Sequence, residues 1–376
     1  MTHKNREMLK SARTFIILYA LVLATFLTVK AEEQPSAGGS HAAEKFNASK
    51  LIMEHIADSY EWHIAKFGAT HVSVPLPVIL YSSKSGFHFF ISSKFHHGTE
   101  SYSGFHVAGE ASKFKGKIVE LDADGNEIRP FDISITKNVV SLFASIFILF
   151  LVFTSIAKRY KKGFDRPPKG IQSWMEPIVL FIRDDVVKAS IGEEKYRKYL
   201  PYLLTAFFFI LINNVMGLIP ILPGGANLTG NIAVTMVLAL FTFVIILFSG
   251  SKDYYMHIVN APGIPWWLKL PIPLMPFVEI MGVFTKPFVL MVRLFANITA
   301  GHIIALGFYS LIFIFGEKSI YAGFGVSVIS ITFTVFMGLL ELLVAFIQAY
   351  VFTLLSALYI GMALEQHGEH AEKVIK

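Results

Sequence analysis

Cysteine is absent from the 376 residues, which excludes disulfides, thiolate metal sites and a cysteine nucleophile. Charge is scarce as well: 16% of the chain is Asp, Glu, Lys or Arg, against roughly 25% in an ordinary soluble domain. That shortfall excludes a disordered chain and a typical water-soluble one. In its place stand hydrophobic residues, 54% of the total, with 35 Phe among them. Runs of about twenty apolar residues recur in the second half, the length a helix needs to cross hydrocarbon. The net charge of +6 is small, and its basic residues cluster beside apolar runs. Such placement reports membrane topology rather than nucleic-acid binding. The chain is an integral membrane protein.

Three regions follow from the order of these runs. In residues 1–31, Lys4, Arg6, Lys10 and Arg13 precede an apolar run from Phe15 to Val29, and Val29-Lys30-Ala31 follows. This reads as a signal peptide, or as an uncleaved N-terminal helix, and either one exports what comes next. Residues 32–136 hold eight of the thirteen histidines and no spanning segment. Glu44 to Lys66 has helical spacing at Leu51, Ile52, Ile56 and Ile64. Alternation at 71–74, 87–90 and 117–121 predicts strands, and Asp124-Gly125 predicts a hairpin turn. The expectation is a small extracytoplasmic domain of α+β type. Its histidines (His41, His55, His63, His71, His88, His96, His97 and His106) show no ligand spacing, so a solvated surface is preferred to a metal site.

Residues 137–376 form the membrane domain, an all-α polytopic region with about five crossing segments. Val139 to Ala157 is long enough to span and ends at Lys158, Arg159, Lys161, Lys162, Arg166 and Lys169, a basic cluster that marks the cytoplasmic side. Ile171 to Arg197 is predicted to be an interfacial amphipathic helix. Tyr202 to Pro220 and Ile232 to Phe248 are two further crossings. Trp266 and Trp267 read as interface anchors. Two long segments remain, Ile272 to Phe315 and Gly325 to Leu364, and each exceeds one membrane thickness, so each must tilt strongly or break. Gly316, Gly323 and Gly325 mark a turn between them, placed outside by counting crossings, with the C-terminus inside.

Six polar groups interrupt these two apolar segments: Glu279, Lys286, Arg293, His302, Glu341 and Gln348. A central Arg costs about 2.5–3.5 kcal/mol on the mildest insertion scale, so each group needs a polar cavity or a partner. Glu279, Lys286 and Arg293 are seven apart and share one helix face, as do Glu341 and Gln348. His302 lies ~180° round from Arg293 and ~13.5 Å further along. In an antiparallel hairpin turning near residue 321, His302 meets Glu341 toward the outer side, and Gln348 lies level with Arg293. Arginine stays protonated, so Arg293 is a fixed charge that cannot relay protons. At ~4 Å and an effective dielectric of about 20 it favours a carboxylate by ~4 kcal/mol, or about three pKa units. A protonated carboxyl arriving there would release its proton. His302 with Glu341 suits one access path, and Glu279 with Lys286 a second path to the cytoplasm.

The run Arg293-Leu294-Phe295-Ala296-Asn297-Ile298-Thr299-Ala300-Gly301-His302 closely resembles the a subunit of F-type ATP synthase. Supporting matches are Asn214-Val215-Met216-Gly217-Leu218-Ile219-Pro220, the Glu279, Lys286-Pro287, Arg293 series and Gln348. The resemblance covers roughly Val139 to Leu364. It implies a stator channel of the Fo sector in a bacterial inner membrane. Arg293 would face the essential carboxylates of the rotating c-subunit ring, two half-channels would reach opposite sides, and Asn297 counts among the ion-translocation residues. It also implies a b-subunit peripheral stalk and an F1 head as partners, no catalytic site in this chain and no cofactor. Some family members place Glu and His in the reverse order at 302 and 341, an exchange that touching side chains would permit. The exported region resembles an N-terminal extension of this subunit in Bacteroidetes-type bacteria. Asn213, Asn214 and Asn231 either line the outer channel or bond between helices. The choice between H+ and Na+ rests with a carboxylate on another chain. The competing class is a stand-alone secondary transporter, which predicts inverted repeats; none is convincing here.

Overall fold

The computed structural model describes residues 46–67, 70–109, 112–122, 125–161, 170–219, 224–259 and 274–365. The expected signal segment, Asp124, Lys162, Arg166, Lys169, the Trp266-Trp267 pair and the tail past 365 lie outside the described residues. The small domain begins with α1 (Ala48–Ile56), whose N-cap Asn47 accepts from the Lys50 N–H at 3.1 Å. The helix expected to run to Lys66 ends at Ala57, and Glu61–Phe67 is instead β1. Asp58 and Ser59 explain the stop, because short polar side chains bond to nearby backbone and compete with the helix. Ser59 Oγ donates to the Glu61 carbonyl at 2.6 Å.

β1 pairs antiparallel with β2 (Thr70–Pro75). A second sheet sets β3 (Pro77–Ser82) between β4 (Gly86–Ile91) and β8 (Phe131–Asp132). A third sets β6 (Ile118–Leu121) between β5 (Phe105–Val107) and β7 (Glu127–Ile128). The alternating segments read from the sequence fall in β2, β4 and β6. Gly125 in the β6–β7 connection has φ 76°, a left-handed conformation that suits a residue without Cβ. Tyr60, Val78, Leu80, Phe90, Phe95, Phe105 and Ile118 form the domain's core.

Seven helices of eight residues or more are described after the small domain, besides a short one at Ala189–Ile191: α2 (Lys137–Lys161), α3 (Ile171–Phe181), α4 (Tyr196–Leu218), α5 (Ile232–Ser249), α6 (Lys252–Val259), α7 (Leu274–Lys318) and α8 (Ile320–Leu364). Of these, α2, α4, α5, α7 and α8 are long and apolar enough to cross a membrane, and the chain is a multi-pass membrane protein. The helix expected over Ile171 to Arg197 is not continuous. After α3 a wider π-type stretch covers Ile182–Lys188, Gly192 stops the chain at φ 91°, and Arg197 already belongs to α4. The wider turn lets Ile182, Val186 and Val187 all be fully buried. Arg183 meanwhile grips Asp184 through two bonds of 2.9 and 2.7 Å on the polar side. That grip is the chief reason the Asp184 carboxyl is held down to about 2.

The turn between the last two helices is also tighter than the glycines imply. Ser319 alone separates α7 from α8, and Gly316, Gly323 and Gly325 lie inside the helices. Gly316 and Gly323 serve close approach instead: a Cβ on Gly323 would stand 2.8 Å from the Gly316 Cα. Each helix has 45 residues, or ~67 Å at 1.5 Å per residue, about twice the hydrocarbon thickness. Neither breaks, although Pro287 lies within α7. Along α8 the buried face is mostly small (Ala345, Ala349, Thr353, Ser356, Ala357, Ala363), which lets α4 pack close. α2 is inside out by soluble standards. Its buried residues are Lys137, Asn138, Ser141 and Ser145, while Phe143, Phe147 and Phe150 are exposed to the lipid side.

Candidate ion-translocation site

The middle of α7 divides its residues sharply. Leu290, Leu294 and Ile298, four apart, are 1%, 1% and 3% exposed and anchor the helix in the bundle. Arg293 follows a different line: with Ala296, Asn297 and Ala300 it forms an exposed strip. Among the described residues Arg293 makes no hydrogen bond or ion pair. A guanidinium on the outer surface of an apolar bundle, flanked by two alanines, leaves room for a carboxylate supplied from outside the chain. Gln348 lies on the buried face of α8 with Ala345, Ala349 and Phe352. Among the described residues no bond joins Gln348 to Arg293.

His302 and Glu341 are brought together. Nδ1 of His302 lies 3.1 Å from Glu341 Oε1, with the side chains 11% and 7% exposed. Two glycines make the fit. A Cβ on Gly301 would stand 3.0 Å from Glu341 Oε1, and one on Gly217 would stand 3.7 Å from His302 Nε2. Both glycines lie inside the motifs that carry the resemblance, at Asn214–Pro220 and Arg293–His302, where this role has no mark of its own. The only signal was their placement beside polar residues.

Around this pair the asparagines divide. Asn214 on α4 donates to the Ala345 carbonyl of α8 at 3.1 Å and accepts from Thr229 at 2.6 Å, so it bonds between helices. Asn213 donates to the Phe209 carbonyl at 2.8 Å, while its Oδ1, buried, has no partner among the described residues. Asn231 caps α5 by accepting from the Ala233 N–H at 3.0 Å. Thr229 was not anticipated; it sits in the loop before α5 and nothing in its local sequence marks it.

Toward the other end of α7 lie Glu279 and Lys286, both partly buried and within electrostatic reach of each other. The Lys286 ammonium stands over the rings of Tyr254 and Tyr359, at 5.8 and 5.5 Å from their centroids. Such cation–π contacts hold a cation where carboxylates are few. Both tyrosines escaped sequence reasoning because they come from α6 and the end of α8.

Comparison with known proteins gives this arrangement a family. Residues 139–361 match the family described as ATP synthase A chain, and residues 51–137 match a domain of unknown function. The chain is 47% identical over 250 residues to ATP synthase subunit a 2 of Chlorobaculum tepidum, covering 65% of this chain and 67% of that one. It is 49% identical over 251 residues to ATP synthase subunit a of Chlorobium phaeobacteroides, covering 64% and 68%. ATP synthase subunit a of an Anaeromyxobacter species is 33% identical over 352 residues, covering 90% of this chain and 76% of the relative. With its five apolar helices and its polar hairpin, the chain belongs to the ATP synthase A chain family, the subunit a of F-type ATP synthases.

Proposed function

We propose that this chain passes protons across the membrane in two half-steps separated by Arg293, and so couples ion flow to rotation in the Fo sector. The carrying observation is the exposed guanidinium on the α7 strip, without a hydrogen bond or ion pair among the described residues. Charge in that position needs a counter-group, and the c-subunit ring is the partner expected to bring carboxylates past it. A carboxylate at Arg293 is favoured in its ionised form by ~4 kcal/mol at ~4 Å and a dielectric of about 20, so an arriving protonated group gives up its proton there. Arg293 itself carries nothing. His302 and Glu341, in contact and nearly buried, exchange protons with the outer side; Glu279 and Lys286 mark the path to the cytoplasm.

The flanking pieces take their places accordingly. The peripheral b-subunit stalk holds this chain against the ring, and the F1 head carries out the ATP chemistry. The small domain lies on the periplasmic side of the inner membrane and the C-terminus in the cytoplasm. Arg293→Ala should abolish ATP-driven acidification of inverted vesicles while the detached head hydrolyses ATP at its normal rate. Normal acidification by that variant would sink the reading.

A further inference from the structure

The small domain reaches into the ion path. Phe46, just before α1, stacks on Phe313 of α7 at 5.0 Å between centroids, and its N–H donates to Glu317 Oε1 at 2.6 Å. At the opposite end of α1, the Lys137 ammonium donates to the His55 carbonyl at 2.9 Å. His55 and Lys137 both lie within electrostatic reach of His302. The lengths agree with a helix laid along a helix. The nine residues of α1 rise ~13.5 Å, and the eleven steps from Phe313 back to His302 rise ~16.5 Å. So α1 runs antiparallel along the outer part of α7, with its last turn within electrostatic reach of His302.

A clasp keeps it there. The Lys137 N–H donates to the Ser59 carbonyl at 3.0 Å, and the Asn138 N–H to Asp58 Oδ1 at 3.2 Å. Beside the clasp the buried face of α2 is polar. Lys137, Asn138 and Ser141 are 7%, 4% and 1% exposed, and on α8 Ser330 is 1% exposed. Asn138 Oδ1, Ser141 Oγ and Ser330 Oγ have no hydrogen-bond partner among the described residues. Buried polar atoms of this kind are stable where water solvates them. His55 itself is exposed. A titratable side chain exposed at the surface therefore lies within electrostatic reach of His302.

We propose that α1 and the start of α2 form the outer mouth of the proton path, with His55 exchanging protons between external water and the His302–Glu341 pair. The proposal rests on the proton-channel reading above. The charged or titratable groups within reach of His55 are Lys137 on α2 and His302 on α7, with Glu341 of α8 in contact with His302; Asp58, in the loop after α1, acts on Lys137, and Glu317 lies at the far end of α1. Each transfer balances. Hydronium gives a proton to the neutral His55 ring, the imidazolium gives one to neutral His302, and His302 gives it to the Glu341 carboxylate, which restores both rings. The packing around His55, then the Lys137 ammonium, disfavour its charged form. It loads more as external pH falls and releases its proton readily. Lys137 is a positioning residue, since it fixes the last turn of α1.

The test uses the assembled complex in vesicles with the head removed and proton flow driven by a potassium diffusion potential. His55→Ala should slow conduction about tenfold at neutral external pH, or ~1.4 kcal/mol of barrier, and external imidazole should restore it. His55→Cys supplies a second route, because the chain otherwise has no cysteine. A cationic thiol reagent that cannot cross the membrane, added outside, should block conduction in the already assembled enzyme. The same reagent should do nothing to the unsubstituted complex or to Lys94→Cys, on the exposed surface of the domain. Conduction by His55→Ala within about twofold of the unsubstituted enzyme, under ~0.4 kcal/mol of barrier, overturns the proposal. So does unchanged conduction in fully labelled His55→Cys. ATP-driven acidification by the complex with its head attached separates the two claims: if Arg293→Ala acidifies normally, the channel reading itself fails, whereas a dead Arg293→Ala beside a normally conducting His55→Ala removes only the mouth.

Discussion

His302 and Glu341 carry the most specific geometry in the chain, an imidazole nitrogen 3.1 Å from a carboxylate oxygen in a nearly buried setting. One acid and one imidazole fill the space, so their order matters less than their presence. His302→Glu combined with Glu341→His should retain more ATP-driven proton pumping than either single change; touching residues couple by about 0.5–3 kcal/mol. Pumping by the double variant no better than by the worse single would count against functional contact. Gly301 makes a sharper demand. Its missing Cβ would stand 3.0, 3.2 and 3.3 Å from three atoms of Glu341, so Gly301→Ala must displace the whole carboxylate group. Overpacking costs about 1–3 kcal/mol, which on a proton-transfer barrier is roughly 5- to 150-fold. Proton conduction should fall by that order in complexes that still assemble. The His302–Glu341 contact was legible in the sequence, because a hairpin centred near residue 321 sets the two level, although the turn itself falls at Ser319. The role of Gly301 was not, since it depends on where the Glu341 side chain goes.

The α7–α8 hairpin is built by close approach rather than by a loop. Glycine signals both a turn and a tight crossing, and local sequence does not separate the two uses. Here Gly316 and Gly323 meet inside the helices, and Ser319 makes the turn. A side chain on Gly323 would meet backbone, which cannot swing aside, whereas one on Gly325 meets open space. Gly323→Val should therefore lower the thermal stability of the purified complex, by overpacking of about 1–3 kcal/mol, and Gly325→Val should not. Equal melting temperatures for the two variants would refute the crossing as the element that sets the hairpin. The stretch Ile171 to Arg197 teaches a similar point. Its mixed composition fitted one amphipathic helix, but burying Ile182, Val186 and Val187 together required a wider turn and a break at Gly192.

For the whole molecule the open quantity is which side each end occupies. Single cysteines in this cysteine-free chain report it. Lys94→Cys in the small domain should react with an impermeant thiol reagent applied to the periplasmic side. Glu365→Cys, just after α8, should react only once the inner membrane is opened. The readout is a mass shift on the isolated subunit, and the reverse labelling pattern would invert the proposed topology. Purification through a tag on the small domain should bring down small ring-forming hairpin subunits and a nucleotide-hydrolysing head. A stand-alone transporter would come down without them.

Composition and spacing were enough for the class of protein, for the long apolar helices among the described residues and for the polar groups that interrupt them. Hydrocarbon penalises polar groups so strongly that each one in an apolar run is conspicuous in one dimension. Which of those charges meet, and which look outward, was decided by packing. Leu290, Leu294 and Ile298 turn one side of α7 into the bundle and thereby expose Arg293, while two glycines let His302 and Glu341 close on each other. The position of α1 along α7 lies furthest from the sequence, because the contact of Phe46 with Phe313 and Glu317 depends on a fold that joins residues as far as 271 positions apart.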